Sequence, residues 1–254
     1  MNKLKIALLI PTFNEAQNID SLLRGLHKVH SSFAEICLLV YFIDDSSPDG
    51  TADTAIQLNN ELGNQNFQVH IIKRAKKEGL GKAYLEGFKT MLALSIQPDY
   101  VLQMDADLSH NPEYIPQFVD ATRADADLII GTRYLPGGSC PNWGWYRKLL
   151  SRGGNTYARL ILGRKITDYT GGFNMYGIEL LKKINWDALN CAGYGFQIDL
   201  KYQAQQYSKR IVEIPIQFLD RQHGQSKMRF NTFFQNFSLV LRIKIKRLIS
   251  DCVV

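Results

Sequence analysis

Residues 100–110 read Tyr100-Val101-Leu102-Gln103-Met104-Asp105-Ala106-Asp107-Leu108-Ser109-His110, an apolar run that delivers two carboxylates with one residue between them. The run has the composition of a buried strand, and side chains at i and i+2 of an extended chain point the same way. Asp105 and Asp107 are therefore expected together at a strand's carboxyl end, the edge at which open α/β sheets hold ligands. Such a pair suits a hard divalent ion, Mg²⁺ or Mn²⁺, which takes oxygen ligands and leaves substrate phosphates to complete its shell. Asp-x-Asp by itself is also a common solvated strand end, so the neighbouring segments have to decide.

Working outward, the same unit recurs. Ile6-Ala7-Leu8-Leu9-Ile10 is an unbroken apolar strand that Pro11-Thr12-Phe13-Asn14-Glu15 interrupts before a helical pattern through Ile19, Leu22, Leu23 and Leu26. Residues 36–43 form a second apolar run, and Asp44-Asp45-Ser46-Ser47-Pro48-Asp49-Gly50-Thr51 supplies turn and capping chemistry for a helix through Ala55 and Leu58. A short third strand, Val69-His70-Ile71-Ile72, leads to Gly79-Leu80-Gly81 and a helix carrying Tyr84, Phe88, Met91 and Leu92. Downstream, Asn111-Pro112-Glu113 opens a helix and Asp127-Leu128-Ile129-Ile130-Gly131 returns to the sheet. Strands alternating with helices predict an α/β fold with a mainly parallel, doubly wound sheet. Neither Gly-x-Gly-x-x-Gly nor the phosphate-loop motif occurs, so any nucleotide must use the carboxylate-tipped loops.

The 254 residues are 45% apolar and 21% charged, an ordinary globular composition. One domain over residues 1–228 with a basic helical tail over 229–254 is expected. Cys37, Cys140, Cys191 and Cys252 are scattered without zinc-ligand spacing, which predicts free thiols in a reducing compartment. The amino terminus carries no signal pattern, so export is not expected. The net charge of +6 is unevenly placed. From Leu128 to Thr167 there is no acid, while Arg133, Arg147, Lys148, Arg152, Arg159, Arg164 and Lys165 all fall there; from Arg221 onward seven Lys and Arg face only Asp251. Both blocks ask for an anionic partner. In the tail, Phe230, Phe233, Phe234, Phe237, Leu241, Ile245 and Leu248 keep helical spacing. Its longest uncharged run falls well short of the about 20 apolar residues a span requires. The tail is expected to lie on an anionic membrane, with packing on its own domain or on a membrane-embedded partner subunit as alternatives.

Together, Pro11-Thr12-Phe13-Asn14-Glu15, Asp44-Asp45-Ser46-Ser47-Pro48-Asp49-Gly50-Thr51 and Asp105-Ala106-Asp107-Leu108-Ser109-His110 resemble inverting family 2 glycosyltransferases with the GT-A fold. Five further stretches narrow the likeness: Gly131-Thr132-Arg133-Tyr134, Ser151-Arg152-Gly153, Asp168-Tyr169-Thr170-Gly171-Gly172-Phe173, Gly193-Tyr194-Gly195-Phe196-Gln197, and the segment Asp220-Arg221-Gln222-His223-Gly224-Gln225-Ser226-Lys227. These are similar to the dolichol-phosphate mannosyltransferase branch, the polyprenol monophosphomannose synthases, over roughly Lys5 to Met228. The resemblance implies GDP-mannose as donor, with Pro11, Phe13, Glu15, Ile43 and Asp45 about guanosine and ribose. It puts Asp105, Ala106 and Asp107 at the diphosphate and metal, joined by Arg133, Arg221 and Lys227, and admits Ser109 to the metal shell. It implies a polyprenyl phosphate acceptor held by Arg133, Arg147 and Arg152, and a catalytic set of Asp107, Arg133 and Arg147. Phe13 stands where tyrosine is frequent, keeping the ring without its hydroxyl.

The chemistry is coherent. A nucleoside diphosphate leaving group develops charge that a divalent ion and Arg or Lys stabilise. A phosphate monoester acceptor, with a second pKa of about 6, is already anionic and needs no general base; Asp199 is the nearest base-like residue. Blander roles stand beside these: Glu15 and Asp45 as helix caps, and Arg147, Lys148 and Arg152 as a solvated helix face. His27, His30 and His70 have no metal spacing, and His110 and His223 fit local hydrogen bonding. Transfer from UDP-glucose is the close rival; a magnesium-dependent phosphohydrolase and a non-enzymatic basic membrane binder are rivals from other classes. A nucleic-acid partner is not expected. The implied location is the cytoplasmic membrane face, by peripheral association.

Overall fold

The apolar runs become the inner strands of one sheet. The computed structural model describes residues 3–33, 35–189, 195–219 and 238–245. Seven strands, β1 (Leu4–Thr12), β2 (Ile36–Asp44), β3 (Phe67–Lys73), β4 (Tyr100–Gln103), β5 (Leu128–Thr132), β6 (Asn174–Gly177) and β7 (Ile211–Pro215), lie in the order β3-β2-β1-β4-β6-β5-β7. All pairings are parallel except those of β6, which runs antiparallel to both β4 and β5.

The strands read as continuous hydrophobics because both sheet faces are covered. Along β1, Ile6, Leu8 and Ile10 pack with α1 (Ala16–Ser32), α2 (Thr51–Leu62) and α4 (Ile115–Arg123). Ala7 and Leu9 pack on the opposite face with α3 (Leu80–Ala93), α5 (Trp145–Leu162), α6 (Ile178–Leu181) and α7 (Gly195–Tyr207). α1 buries Ile19, Leu22, Leu23 and Leu26, the stripe its periodicity predicts. α3 lies close on the sheet because Gly87 has no side chain; a Cβ there would sit 2.5 Å from Ile43 Cδ1.

Three expectations change in detail. β4 stops at Gln103, so Asp105 and Asp107 follow it in a bend, with Leu108 at φ +63°, and strand alternation is not what aims them. The third strand is longer than its apolar core, and the helix expected at Asn111 begins as a 3-10 turn (Pro112–Tyr114), with Asn111 Oδ1 accepting from Glu113 N at 3.0 Å. The helix over 238–245 buries Val240 and Ile243 against the α7 side of the core and leaves Leu241 and Ile245 exposed. The expected boundary at 228/229, and Phe230, Phe233, Phe234, Phe237 and Leu248, lie outside the described residues. Among the described residues no helix is long and apolar enough to cross a membrane. Cys37 and Cys140 are free and buried; Cys191 and Cys252 lie outside the described residues.

Candidate active site

The carboxyl ends of β2, β1 and β4 are neighbours, and Thr12 stands level with Asp44 in the register, so the three motif loops emerge along one edge. The first two loops are knitted together. Asp44 accepts from Thr12 Oγ1 (3.1 Å) and from Ser47 N and Oγ (2.9 and 2.5 Å). Asn14 N donates to Ser47 Oγ, Glu15 N to Thr51 Oγ1 and Ala16 N to Asp49 Oδ2, each at 3.0 Å. The backbone of Asn14–Ala16 is thus held by side chains of the second loop; Glu15 stands at the N-cap of α1 with no side-chain capping bond, and its carboxylate accepts from Asn18 Nδ2 at 2.7 Å. Ile43 is buried at the end of β2 with Pro11 opposite it in the register. Phe13 has the Lys77 ammonium 3.8 Å from its ring centroid. Asp45 is ion-paired to the buried Arg74, which also binds Glu86 (2.8 Å) and Glu78 (3.2 Å).

At the third loop, Asp107 Oδ1 accepts from Ser109 N (3.1 Å) and Ser109 Oγ (2.6 Å). Ser109, expected in the metal shell, is fully buried beside the two carboxylates, and its hydroxyl orients Asp107. Asp105 is partly exposed, and its backbone N–H donates to His110 Nδ1 at 3.0 Å. Burial lowers the His110 pKa against the pull of Asp105 and Asp107, and a neutral ring, Nδ1 accepting, stacks on Phe173 at 4.9 Å. His110 therefore shapes the loop, as expected, and is not placed as a ligand. Ala106 between the carboxylates is buried. Among the described residues there is no cluster of three or more His, Cys, Asp or Glu that could hold a metal. Two carboxylates fit an ion such as Mg²⁺ or Mn²⁺ whose remaining ligands come from phosphate and water.

Arg133 is not the open cation that the acid-free stretch implies. Its guanidinium forms a fork with Asp168, Nε to Oδ2 at 2.8 Å and Nη2 to Oδ1 at 2.9 Å, and also donates to Thr170 Oγ1 at 2.7 Å. Burial would raise the Asp168 carboxyl, but Arg133 and the hydrogen bonds around it hold it well below the usual range. Lys201, fully buried on α7, donates to the carbonyls of Asp168 and Gly171, both at 2.7 Å, and burial lowers its pKa to about 7. Beside this network a cleft is lined by Arg133, Tyr134, Trp143, Lys148, Ser151 and Arg152, and Arg147 stacks over Trp143 at 3.9 Å from the ring centroid.

The sequence pattern of glycosyl transferase family 2 matches residues 7–185. The chain belongs to that family. This family 2 chain is 41% identical over 225 residues to an undecaprenyl-phosphate mannosyltransferase of Micrococcus luteus, covering 89% of the chain and 88% of the relative. It is 42% identical over 221 residues to a polyprenol monophosphomannose synthase of Mycolicibacterium smegmatis, covering 87% and 80%. Among solved structures, the glucosyl-3-phosphoglycerate synthase of Mycobacterium tuberculosis with Mn²⁺, UDP and phosphoglyceric acid superposes with a TM-score of 0.63 at 18% identity, covering 96% and 78%. A mannosyl-3-phosphoglycerate synthase of Rubrobacter xylanophilus gives 0.61 at 15% identity, covering 99% and 76%. The fold is the GT-A arrangement that the resemblance implied.

The structure of this family 2 protein gathers Pro11, Phe13, Glu15, Ile43, Asp45, Asp105, Ala106 and Asp107 along one edge, and Arg133, Arg147 and Arg152 about one cleft. Arg221 and Lys227 lie outside the described residues. Sequence reasoning missed Arg74, Asp168, Lys201, Lys148 and Trp143 as members of the site. Arg74 did have a signal: Lys73 pairs in register with Asp44, so the next residue of β3's exit stands beside Asp45. Asp168 stood in a stretch that carries the family likeness but its pairing with Arg133 had no signal, and Lys201 had none at all, since their partners come from distant segments.

Proposed function

We propose that this protein transfers mannose from GDP-mannose to the phosphate of a polyprenyl lipid, with inversion, giving polyprenyl phosphate mannose. The observation that carries the reading is the cleft. Arg133, Lys148 and Arg152 offer it positive charge, and among the described residues no carboxylate or imidazole lines it. Burial raises the Tyr134 and Cys140 pKa values, so neither lining residue is a ready base. An alcohol acceptor would need one; a phosphate acceptor does not. The relatives named for undecaprenyl phosphate and polyprenol monophosphomannose point the same way.

The reaction is a single displacement. A phosphate oxygen of the lipid attacks C1 of mannose from the face opposite GDP, the C1–O bond to the β-phosphate breaks, and its electron pair leaves with GDP. Asp105 and Asp107 would hold Mg²⁺ or Mn²⁺, which supplies charge neutralisation to the diphosphate. Pro11, Phe13, Glu15, Ile43 and Asp45 seat guanosine and ribose. Arg221 and Lys227 are assigned to the diphosphate on sequence alone. Arg147 and Arg152 hold the lipid phosphate, while Arg133, already forked to Asp168, sets the wall against which it docks and adds a rigid positive charge.

The membrane side follows from α5. Trp145 is 77% exposed and Leu149 61%, one helical turn apart and next to the cleft residues Lys148 and Arg152. Apolar side chains at a basic rim suit a helix resting on anionic lipid, with the acceptor headgroup entering beside it. This makes α5, ahead of the tail, the peripheral membrane contact.

The deciding experiment incubates the protein with labelled GDP-mannose or UDP-glucose, Mg²⁺, and either polyprenyl phosphate or polyprenol. Label is expected in the organic extract only with GDP-mannose and the phosphate lipid. Transfer from UDP-glucose alone, transfer to the alcohol, or release of orthophosphate without lipid product would overturn the reading.

A further inference from the structure

Gly172 leaves a space over its Cα with chemically mixed walls. A Cβ built there would lie 3.5 Å from His110 Cε1, 3.8 Å from Asp105 Oδ1 and 3.8 Å from Gln197 Nε2. The three groups come from the loop after β4 and the first turn of α7, and only the tertiary fold brings them round one point. Gln197 is 3% exposed, and its Nε2 has no hydrogen-bond partner among the described residues. Its Oε1 faces Asn174 Nδ2 at 3.4 Å, and that nitrogen also meets Gly171 O at 3.0 Å and Gln103 Oε1 at 3.4 Å. Reversing the Gln197 amide would set donor against donor. The NH₂ end therefore faces the space.

A buried donor without an acceptor is unfavourable and, in a native structure, calls for an explanation. Here the space decides what the acceptor is. A phosphate could approach Asp105 only through the metal that Asp105 and Asp107 would hold, which leaves the Gln197 donor unmet, and a cation would meet that donor. A hydroxyl accepts from the amide and donates to the carboxylate, and the electropositive Cε1–H edge of His110 beside it suits an oxygen.

The location agrees. Asp105 belongs to the diphosphate loop, whereas Asp168, four residues before Gly172, grips Arg133 of the acceptor cleft. The group that passes between diphosphate and acceptor is the hexose. Resting on the proposed function, we infer that Gln197 donates to a hydroxyl of the donor's sugar, seated over Gly172 between Asp105 and His110, and so takes part in selecting the hexose.

The test compares binding of GDP and of GDP-mannose, with Mg²⁺, to wild type, Gln197→Leu and Gly172→Ala. Leucine keeps the volume and removes the donor. The alanine methyl fits at ordinary contact distances, so that chain should fold, but it occupies the sugar's place. Both variants should bind GDP as wild type does and GDP-mannose about tenfold or more weakly, the scale of one lost directed contact. One monodeoxy-mannose donor should bind wild type weakly yet bind Gln197→Leu no worse than GDP-mannose does, which identifies the hydroxyl. Equal loss of GDP and GDP-mannose in both variants would show a structural role and overturn the inference, as would unchanged sugar-nucleotide binding in both. Should wild type reject GDP-mannose and bind another nucleotide sugar, the proposed function falls. The same comparison between that donor and its bare nucleotide still decides Gln197.

Discussion

Asp107 accepts from Ser109 through Oδ1, and asparagine can keep that oxygen where it is. Asp107→Asn thus removes charge without removing the loop's anchor. Transfer should fall on the order of 10²–10³-fold, the scale of losing one charge-stabilising contact, while the melting temperature stays within a few degrees; turnover near wild type would end the metal assignment. Asp168 is the opposite case. Removing one charge of a buried pair costs about 3–5 kcal/mol because its partner is stranded, so Asp168→Asn should lower denaturant stability by that amount, and a loss below 1 kcal/mol would contradict the fork's importance. The pH sign follows from the depressed native pKa of Asp168. Its stabilisation is complete above the ordinary carboxylate value of about 3.9 and fades only as pH falls through the lower native value. The wild type minus Asn difference should accordingly stay flat from neutrality down to about pH 5 and shrink only in strong acid. Single residues were legible where their type announced their chemistry, as with Asp105 and Asp107. They were not where a partner decides the role: Arg133 read as an open cation because its acid stands 35 residues on, just past the acid-free stretch.

α5 shows what an element's pattern reveals and what it conceals. Its charge was evident in the sequence, and the exposed Trp145 and Leu149 add an apolar rim to that charge, the one proposed to face lipid. Replacing Trp145 by Ala and Leu149 by Ser, both exposed, should cut sedimentation with anionic vesicles severalfold and leave GDP binding unchanged; unaltered sedimentation would return the membrane contact to the tail. The tail helix over 238–245 has two stripes, Val240 and Ile243 inward and Leu241 and Ile245 outward, so own-domain packing and an outer apolar face coexist in it. Gly138 governs the turn after β5. A Cβ there would stand 2.7 Å from Thr132 O and 2.9 Å from Arg133 C, backbone atoms that cannot rotate away. Gly138→Ala should cost about 1–3 kcal/mol and raise the KM for lipid phosphate more than that for GDP-mannose; equal changes in both would detach this turn from the acceptor side. Strands were readable because continuous apolar runs require two covered faces. The end of β4 was not, because Met104 is as apolar as the strand before it and the chain leaves the ladder to let Asp105 N reach His110.

At the scale of the whole molecule, the sheet joins two unlike halves. β1, β2 and β3 pair parallel with neighbours close in sequence, β4 joins β1 in parallel from further along the chain, and the exits of β1, β2 and β4 carry the three motif loops. β6 runs the other way, so its start, not its finish, meets that edge: Gln103, the last residue of β4, pairs with Asn174, the first of β6. This reversal brings Asp168, Gly171 and Gly172 to the edge from outside the repeating strand-helix pattern, which is why the acceptor-side cations Arg133, Arg147 and Arg152 could be read from the sequence and the buried groups that hold Arg133 could not. It also imposes a chronology. The β1–β2–β3 part closes through pairings about 30 positions apart, whereas β4 must reach back 94 positions to β1 and the seam at β6 spans 71, and long-range pairings form late. In pulse-labelling hydrogen exchange during refolding, amides of β1, β2 and β3 should gain protection before those of β5, β6 and β7; simultaneous protection would show a single cooperative step. The same order holds during synthesis, where amino-terminal segments fold first. A nascent chain would then possess a pocket for the nucleotide while the residues that meet the lipid are still being made.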